Sequence, residues 1–307
     1  MKLSKANRAS RIGLSIIIVN YNAEPFLEKC LKSIYEKTHG IDFEVIVINN
    51  NSNNIGNYGK NGFSNIKWIH NQKNVGFSFA NNQGIKICEG KYIVLLNPDT
   101  EILNNSFKIM LEFLENNLKV GILGPKVLER DGETVQLSCR QFPSIATSVF
   151  NRHSVLTRLF PQNKWSREYL LTDWDHNDLN EIDWVSGCCM MLRRSMLDEI
   201  GMLDESFFMY NEDVDICYRA KMSGWQVMYL PDALIKHYIG GSSKTVNRKM
   251  VIERHKSMWK FYKKHYSKDI FFDSITFTAI FFRSFLKIIF PDNTNHLIKN
   301  RKNYKKQ

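Results

Sequence analysis

Six cysteines are spread over 307 residues, and no two of them form a C-x-x-C pair. Cys30, Cys88, Cys139, Cys188, Cys189 and Cys217 therefore offer no disulfide framework, and they read as reduced thiols in a cytosolic compartment. No G-x-G-x-x-G follows the first apolar run, which argues against a nucleotide-dependent oxidoreductase. Zinc-finger spacing, an RNP motif and a helix-turn-helix pattern are all missing, so nucleic acid is not the expected partner. A signal peptide is not expected either. The run Ile12 to Val19 is short, contains Ser15, and enters Asn20-Tyr21-Asn22 without a small-residue cleavage site.

What is present is an ordinary globular composition, 43% hydrophobic and 24% charged. The length suits one large α/β domain with an appendage, or two small domains. The net charge of +11 is unevenly placed. Residues 1–12 hold four basic residues and no acidic one, residues 236–307 hold 17 Lys/Arg against 4 Asp/Glu, and the stretch between is acidic at −6. Basic ends on an acidic body suit an anionic membrane surface, with a solvated tail as the competing reading.

Leu14 to Val19 is a continuous apolar, β-branched run, as a buried parallel strand requires. Residues 24–37 carry Phe26, Leu27, Cys30, Leu31 and Ile34 at helical spacing. Strands follow at Phe43 to Ile48, Ile66 to Ile69 and 91–96, with a helix over about 77–88. This alternation predicts βαβ units and a mostly parallel sheet. Polar runs fall where those strands end, at Asn20-Tyr21-Asn22, Asn49-Asn50-Asn51-Ser52 and Asn97-Pro98-Asp99. Ligands bind beyond such carboxyl ends.

Further along, the pattern predicts a helix over 101–120, a strand at Gly121 to Val127, and an irregular aromatic and charged loop over 140–180. Regular structure resumes at Ile182 to Leu192, with helices at Arg194 to Ile200 and Asp213 to Ser223, closed by Gly201 and Gly224, and a strand at Val227 to Leu230. Over 270–290, Phe271, Ile275, Thr278, Phe282, Phe285 and Ile289 share one helical face, and Asp273, Arg283 and Lys287 interrupt the run. Three charges argue against a simple spanning helix. An interfacial amphipathic helix fits better, with a helix packed on the core as the alternative.

Two acidic sites carry the chemistry. Asp99 ends the apolar run Tyr92 to Leu96 after Asn97-Pro98, and Glu212-Asp213 lies in Phe207-Phe208-Met209-Tyr210-Asn211-Glu212-Asp213-Val214-Asp215. A strand-end carboxylate can hold a divalent metal against a diphosphate, and a second can take a proton from a hydroxyl. Alone, Asp99 is equally what a turn provides.

The ordered set is more specific. Val19-Asn20-Tyr21-Asn22, Asn49-Asn50-Asn51-Ser52, Asn74-Val75-Gly76-Phe77 with Asn81-Asn82 and Gly84, and Asn97-Pro98-Asp99 are followed by Trp184-Val185-Ser186-Gly187-Cys188-Cys189. The set then runs through Phe207 to Asp215, Ser223-Gly224-Trp225 and His237-Tyr238-Ile239-Gly240-Gly241-Ser242. Over about residues 13–243 this resembles the family 2 glycosyltransferases, in the bacterial rhamnosyltransferase-like branch. The resemblance implies a GT-A fold, a Rossmann-like, mostly parallel α/β sheet flanked by helices, and an inverting single displacement that needs Mg²⁺ or Mn²⁺. It implies a domain at 1–243, with a nucleotide-binding half over about 13–125 and a catalytic and acceptor half over about 126–243, before a basic amphipathic helical tail at 244–307.

Carried over by position, Asp99 matches the metal-binding aspartate and Asp213 the catalytic base, with Glu212 as its neighbour. Asn20, Asn22, Asn49, Asn51, Asn74, Gly76, Asn97 and Gly187 fall in the nucleotide-sugar pocket. His237 stands where the family often places a metal or diphosphate contact, a surface histidine after a strand being the alternative. Two departures stand out: Asn49 replaces a usual aspartate, and Asn97-Pro98-Asp99 replaces a pair of aspartates. The processive Q-x-x-R-W signature is absent, so transfer of a single sugar is expected. The donor expected is dTDP-rhamnose. The acceptor expected is a glycan or polyprenyl-diphosphate-linked glycan at the inner face of the plasma membrane. A UDP-hexose donor, or a non-catalytic nucleotide-sugar binding protein, are the rival readings. The oligomeric state is left open.

Overall fold

The computed structural model describes residues 13–51, 63, 66–143, 164–238 and 248–289. Most of the Asn-rich stretch beyond Asn51, residues 144–163 of the 140–180 loop, Gly240-Gly241-Ser242 and the two chain ends at 1–12 and 290–307 lie outside the described residues.

β1 (Leu14–Asn20) is buried at every position. α1 (Glu24–Lys37) starts with a proline in its first turn, where a missing N–H costs nothing, and buries Leu27, Cys30, Leu31 and Ile34. β2 (Phe43–Asn50), β3 (Ile66–Asn71), α2 (Phe77–Ile87) and β4 (Tyr92–Leu96) follow as expected. The predicted helix over 101–120 is instead β5 (Thr100–Ile102), the link Leu103-Asn104-Asn105, and α3 (Ser106–Asn116). Thr100 to Ile102 find a strand partner far along the chain, and that pairing overrides the helical pattern. β6 (Val120–Leu128), β7 (Cys139–Arg140), α4 (Lys164–Leu170), β8 (Asn180–Glu181), β9 (Trp184–Val185) and β10 (Cys189–Arg193) come next. α5 (Arg194–Ile200), α6 (Glu212–Met222), β11 (Gln226–His237), α7 (Arg248–His265) and α8 (Ile270–Ile289) complete the order.

The main sheet runs β3-β2-β1-β4-β10-β6-β11-β5, with β8 added on β11. From β3 to β4 every pairing is parallel. β10 then enters antiparallel to both β4 and β6, and β11 runs parallel to β6. The parallel half brings the ends of β1, β2 and β4 to one edge. β10 starts at that same edge, with Cys189 opposite Leu96. A buried layer that includes Ile16, Ile18, Leu31, Val45, Val94, Leu96, Phe107 and Met110 packs the helices on the sheet. Truncating any of its aliphatic members to alanine costs about 2–5 kcal/mol.

The chain divides into two units, residues 1–208 with 212–242, and residues 209–211 with 243–307. In the second, Trp259 of α7 meets Phe277 of α8 edge-on at 5.2 Å. Ser257 Oγ donates to the Met209 carbonyl at 2.8 Å, and the Arg254 guanidinium lies 4.4 Å from the Tyr210 ring centre. No residue of α8 is buried. Among the described residues no helix is long and apolar enough to cross a membrane.

Candidate active site

Asp99 sits just past β4 with its side chain 6% exposed. β5 pairs antiparallel with the end of β11, setting His237 opposite Thr100, and the Tyr238 N–H donates to the Asp99 carbonyl at 2.9 Å. These backbone bonds bring His237 Nε2 to 3.2 Å from Asp99 Oδ1. The other ring nitrogen, Nδ1, is 3.0 Å from Gln136 Oε1.

The separation is that of a hydrogen bond, and it is also compatible with two neighbouring ligands of a divalent cation. Adjacent ligands in an octahedron with bonds of about 2.1 Å lie about 3.0 Å apart, close to the observed 3.2 Å. No group of three or more His, Cys, Asp or Glu side chains gathers among the described residues. Two protein ligands with the remainder from phosphates and water is the usual arrangement for such an ion on a nucleotide.

Glu212 and Asp213 open α6, directly after Tyr210 and Asn211, which hold φ of 70° and 67°. Asp213 Oδ2 accepts from the Gly187 N–H at 3.1 Å and Oδ1 from the Val214 N–H at 2.9 Å. Glu212 is buried, and its Oε2 has no hydrogen-bond partner among the described residues. Burial pushes the Glu212 carboxyl well above the ordinary range, and the neighbouring Asp213 charge adds to it. Burial also raises Asp213, against two backbone N–H donors and the Arg140 charge, which pull it down. Shared this way, the charge rests on Asp213 and the proton on Glu212. Asp215 is fully buried and ion-paired to Arg219 at 2.8 Å, and Arg219 also donates to the carbonyls of Ile200, Gly201 and Met202. That clamp fixes the start of α6 against the turn after α5.

β10 joins the two acidic sites. Its antiparallel pairing with β4 lets the Asn97 N–H donate to the Cys188 carbonyl at 2.9 Å, one residue from the Gly187 amide that binds Asp213. Burial pushes the Cys188 thiol up to about 12, and the charges of Asp99 and Asp213 both add to the shift. Asp99 and Asp213 thus both lie near enough to the buried Cys188 thiol for their charges to act on it.

The remaining asparagines divide by role. Asn20 and Asn49 are buried at the ends of β1 and β2, and Asn20 Nδ2 donates to Glu24 at 3.4 Å. Asn22 and Asn51 hold left-handed backbone, φ 53° and 70°, which asparagine tolerates better than most residues. Asn74 Oδ1 accepts from the Gly76 N–H at 2.9 Å and from Asn50 Nδ2 at 2.8 Å. Asn50, absent from the expected set, also accepts from the Val75 N–H at 3.0 Å and from Asn71 at 3.2 Å. Its place beside Asn49 was the only signal. Gly187 meets no closer neighbour than 3.7 Å at a built Cβ, so its contribution here is the amide and not its small size. Arg140, whose guanidinium lies 5.1 Å from the Trp184 ring centre, was hidden in an irregular stretch with no motif around it.

Residues 15–201 match the family model described as Glycosyl transferase family 2. An N-acetylglucosaminyl-diphospho-decaprenol L-rhamnosyltransferase of Mycobacterium tuberculosis is 27% identical over 265 residues, which cover 83% of this chain and 85% of the relative. The low-salt glycan biosynthesis hexosyltransferase Agl10 of Haloferax volcanii is 31% identical over 212 residues, 68% of this chain and 61% of the relative. A mannosyltransferase from Pyrobaculum calidifontis, solved with GDP-Man and Mn²⁺, superposes with a TM-score of 0.55 at 14% identity, covering 95% of this chain and 79% of that one.

Proposed function

The chain belongs to glycosyl transferase family 2, and from that premise we propose that it moves one sugar, L-rhamnose from dTDP-rhamnose, with inversion, onto a polyprenyl-diphosphate-linked glycan. Asp213 is the base. It takes the proton of the acceptor hydroxyl as that oxygen attacks the anomeric carbon from the face opposite the diphosphate. The Gly187 and Val214 N–H groups hold its two oxygens, and the proton kept on Glu212 prevents a second charge beside it. Asp99 and His237 would hold Mg²⁺ or Mn²⁺ on the diphosphate. A divalent cation there neutralises the charge that builds on the leaving group. Asn20, Asn22, Asn49 and Asn51, at the ends of β1 and β2, receive the nucleotide. The observation that supports this reading is the pairing of β4 with β10, which bonds the Asn97 amide to the Cys188 carbonyl, between the strand end that leads to Asp99 and the Gly187 amide that binds Asp213.

The acceptor class rests on the mycobacterial relative, whose name places its substrate on a diphospho-decaprenol. The basic tail at 244–307 and the exposed apolar face of α8 support work at the inner face of the plasma membrane. A hexose donor is the second reading, favoured by the Haloferax relative named as a hexosyltransferase.

The test is nucleoside-diphosphate release from a panel of dTDP- and UDP-sugars, with Mg²⁺ or Mn²⁺ and a bacterial lipid extract. Release from dTDP-rhamnose that depends on metal and on Asp213 is the expected result. Release from a UDP-hexose alone would overturn the donor and keep the enzyme class.

A further inference from the structure

We infer that Gln136 is a positioning residue for the cation site, setting which nitrogen of His237 faces Asp99. This rests on the reading of Asp99 and His237 as metal ligands. Gln136 is fixed by backbone bonds on both sides. Its N–H donates to the Val127 carbonyl at 2.8 Å, and its carbonyl accepts from Ser138 at 2.7 Å. The turn before it is also pinned. Asp131 accepts from the amides of Glu133 and Thr134 at 3.0 and 2.9 Å, and the Glu129 N–H donates to the Thr134 carbonyl at 2.7 Å. β6 and β11 run parallel with Leu128 beside Lys236. A chain that doubles back along β6 therefore delivers residue 136 to the imidazole at the end of β11.

The chemistry follows from what each atom can do. An ionised carboxylate only accepts, and a neutral imidazole has one donor nitrogen and one lone pair. Gln136 Oε1 lies 3.0 Å from Nδ1 and accepts when Nδ1 carries the hydrogen. In that tautomer the Nε2 lone pair, 3.2 Å from Asp99 Oδ1, is available to a cation shared with the carboxylate; with the hydrogen on Nε2 the same contact is an N–H···O bond to Asp99. An imidazole nitrogen and a carboxylate oxygen would together supply two of the six ligands of an octahedral cation. Rotating the Gln136 amide by about 180° presents its NH₂ to Nδ1 and moves the imidazole hydrogen to Nε2, where it bonds Asp99. An amide serves both tautomers. Metal affinity therefore depends on a side chain that touches neither metal nor substrate, as such outer partners of ligating histidines generally do.

The test uses the full chain, dTDP and Mn²⁺, with free Mn²⁺ followed by electron paramagnetic resonance. Gln136→Leu, which keeps the shape and removes both polar atoms, should weaken Mn²⁺ binding by about 10- to 100-fold. Gln136→Glu, which still accepts from Nδ1–H, should stay within about threefold of wild type. Transfer by the leucine variant should recover at saturating Mn²⁺ and keep its KM for donor, a pattern that loss of folded protein does not give. Wild-type Mn²⁺ affinity in Gln136→Leu, alongside a loss in Asp99→Ala, would overturn the role of Gln136 and leave the metal site standing. Unchanged affinity in Asp99→Ala would overturn the metal site and this inference with it.

Discussion

At the scale of single residues, three acidic side chains within four positions hold three different states. Asp213 accepts two backbone N–H groups, Glu212 is buried with one oxygen that has no partner among the described residues, and Asp215 is neutralised by Arg219. Asp213→Asn keeps the shape and removes the proposed base. Turnover should fall by about 10²- to 10⁴-fold, with donor affinity by calorimetry nearly unchanged. Wild-type turnover would mean that another group takes the proton. Glu212 bears on stability. Its carboxyl is raised in the folded protein by burial and by the Asp213 charge. The protonated form is therefore the one the fold accommodates. The contribution is full below the unfolded value of about 4.3, and it is lost as pH rises through the raised folded value. Glu212→Gln stays neutral throughout. Its Tm should gain on wild type as pH is raised from about 5 to 9, and a pH-independent difference would show that Glu212 is ionised in the fold.

At the scale of elements, Gly76 shows how a loop can depend on one backbone conformation. Its φ is 91°, a built Cβ would lie 2.7 Å from the Phe208 carbonyl oxygen, and the next amide, Phe77 N–H, donates to that same oxygen at 2.7 Å. Gly76→Ala should cost about 1–3 kcal/mol. At about 2–4 °C of Tm per kcal/mol for a domain of this size, calorimetry reads that directly. Elements of this kind were legible where the local pattern and the tertiary role agree. β1, β2 and β4 are continuous apolar runs because both faces are covered, and α1 shows its buried stripe in sequence. β5 was read as helix because its partner, Ile235 to His237, is more than a hundred residues away, and only that pairing makes Thr100 to Ile102 a strand. The site follows the same rule. Asp99 and Glu212-Asp213 were candidates by context in the sequence, whereas Gln136 and Arg140 reach the candidate site through approaches made by β6, β7 and β11 that no spacing encodes. Asn74 was legible as a position, but its observed bonds hold a loop together.

At the scale of the whole chain, charge and apolar surface gather in one region. Residues 236–307 hold 17 Lys/Arg against 4 Asp/Glu, in a protein whose stretch from 13 to 235 is net acidic. α8 carries Phe271, Ile275, Phe282, Phe285 and Ile289, each about half or more exposed, on a helix with no buried residue. Apolar side chains of this size bring about 1.5–3 kcal/mol each when fully buried, and each Lys or Arg near an anionic leaflet adds about 1 kcal/mol. Both contributions favour the same orientation, apolar face down and basic flanks at the headgroups. The charge part weakens with salt and the apolar part does not. The 307-residue chain should therefore float with vesicles of mixed phosphatidylglycerol and phosphatidylethanolamine, less so at high salt, and only weakly with neutral vesicles. Removing residues 270–307 should abolish flotation, while nucleoside-diphosphate release to a water-soluble acceptor analogue persists, because Asp99, His237, Glu212 and Asp213 are all retained. A truncated protein that still floats would place the membrane contact elsewhere. One that stays in solution but loses release to the soluble analogue would mean that α8 serves the fold of the enzyme and not its address.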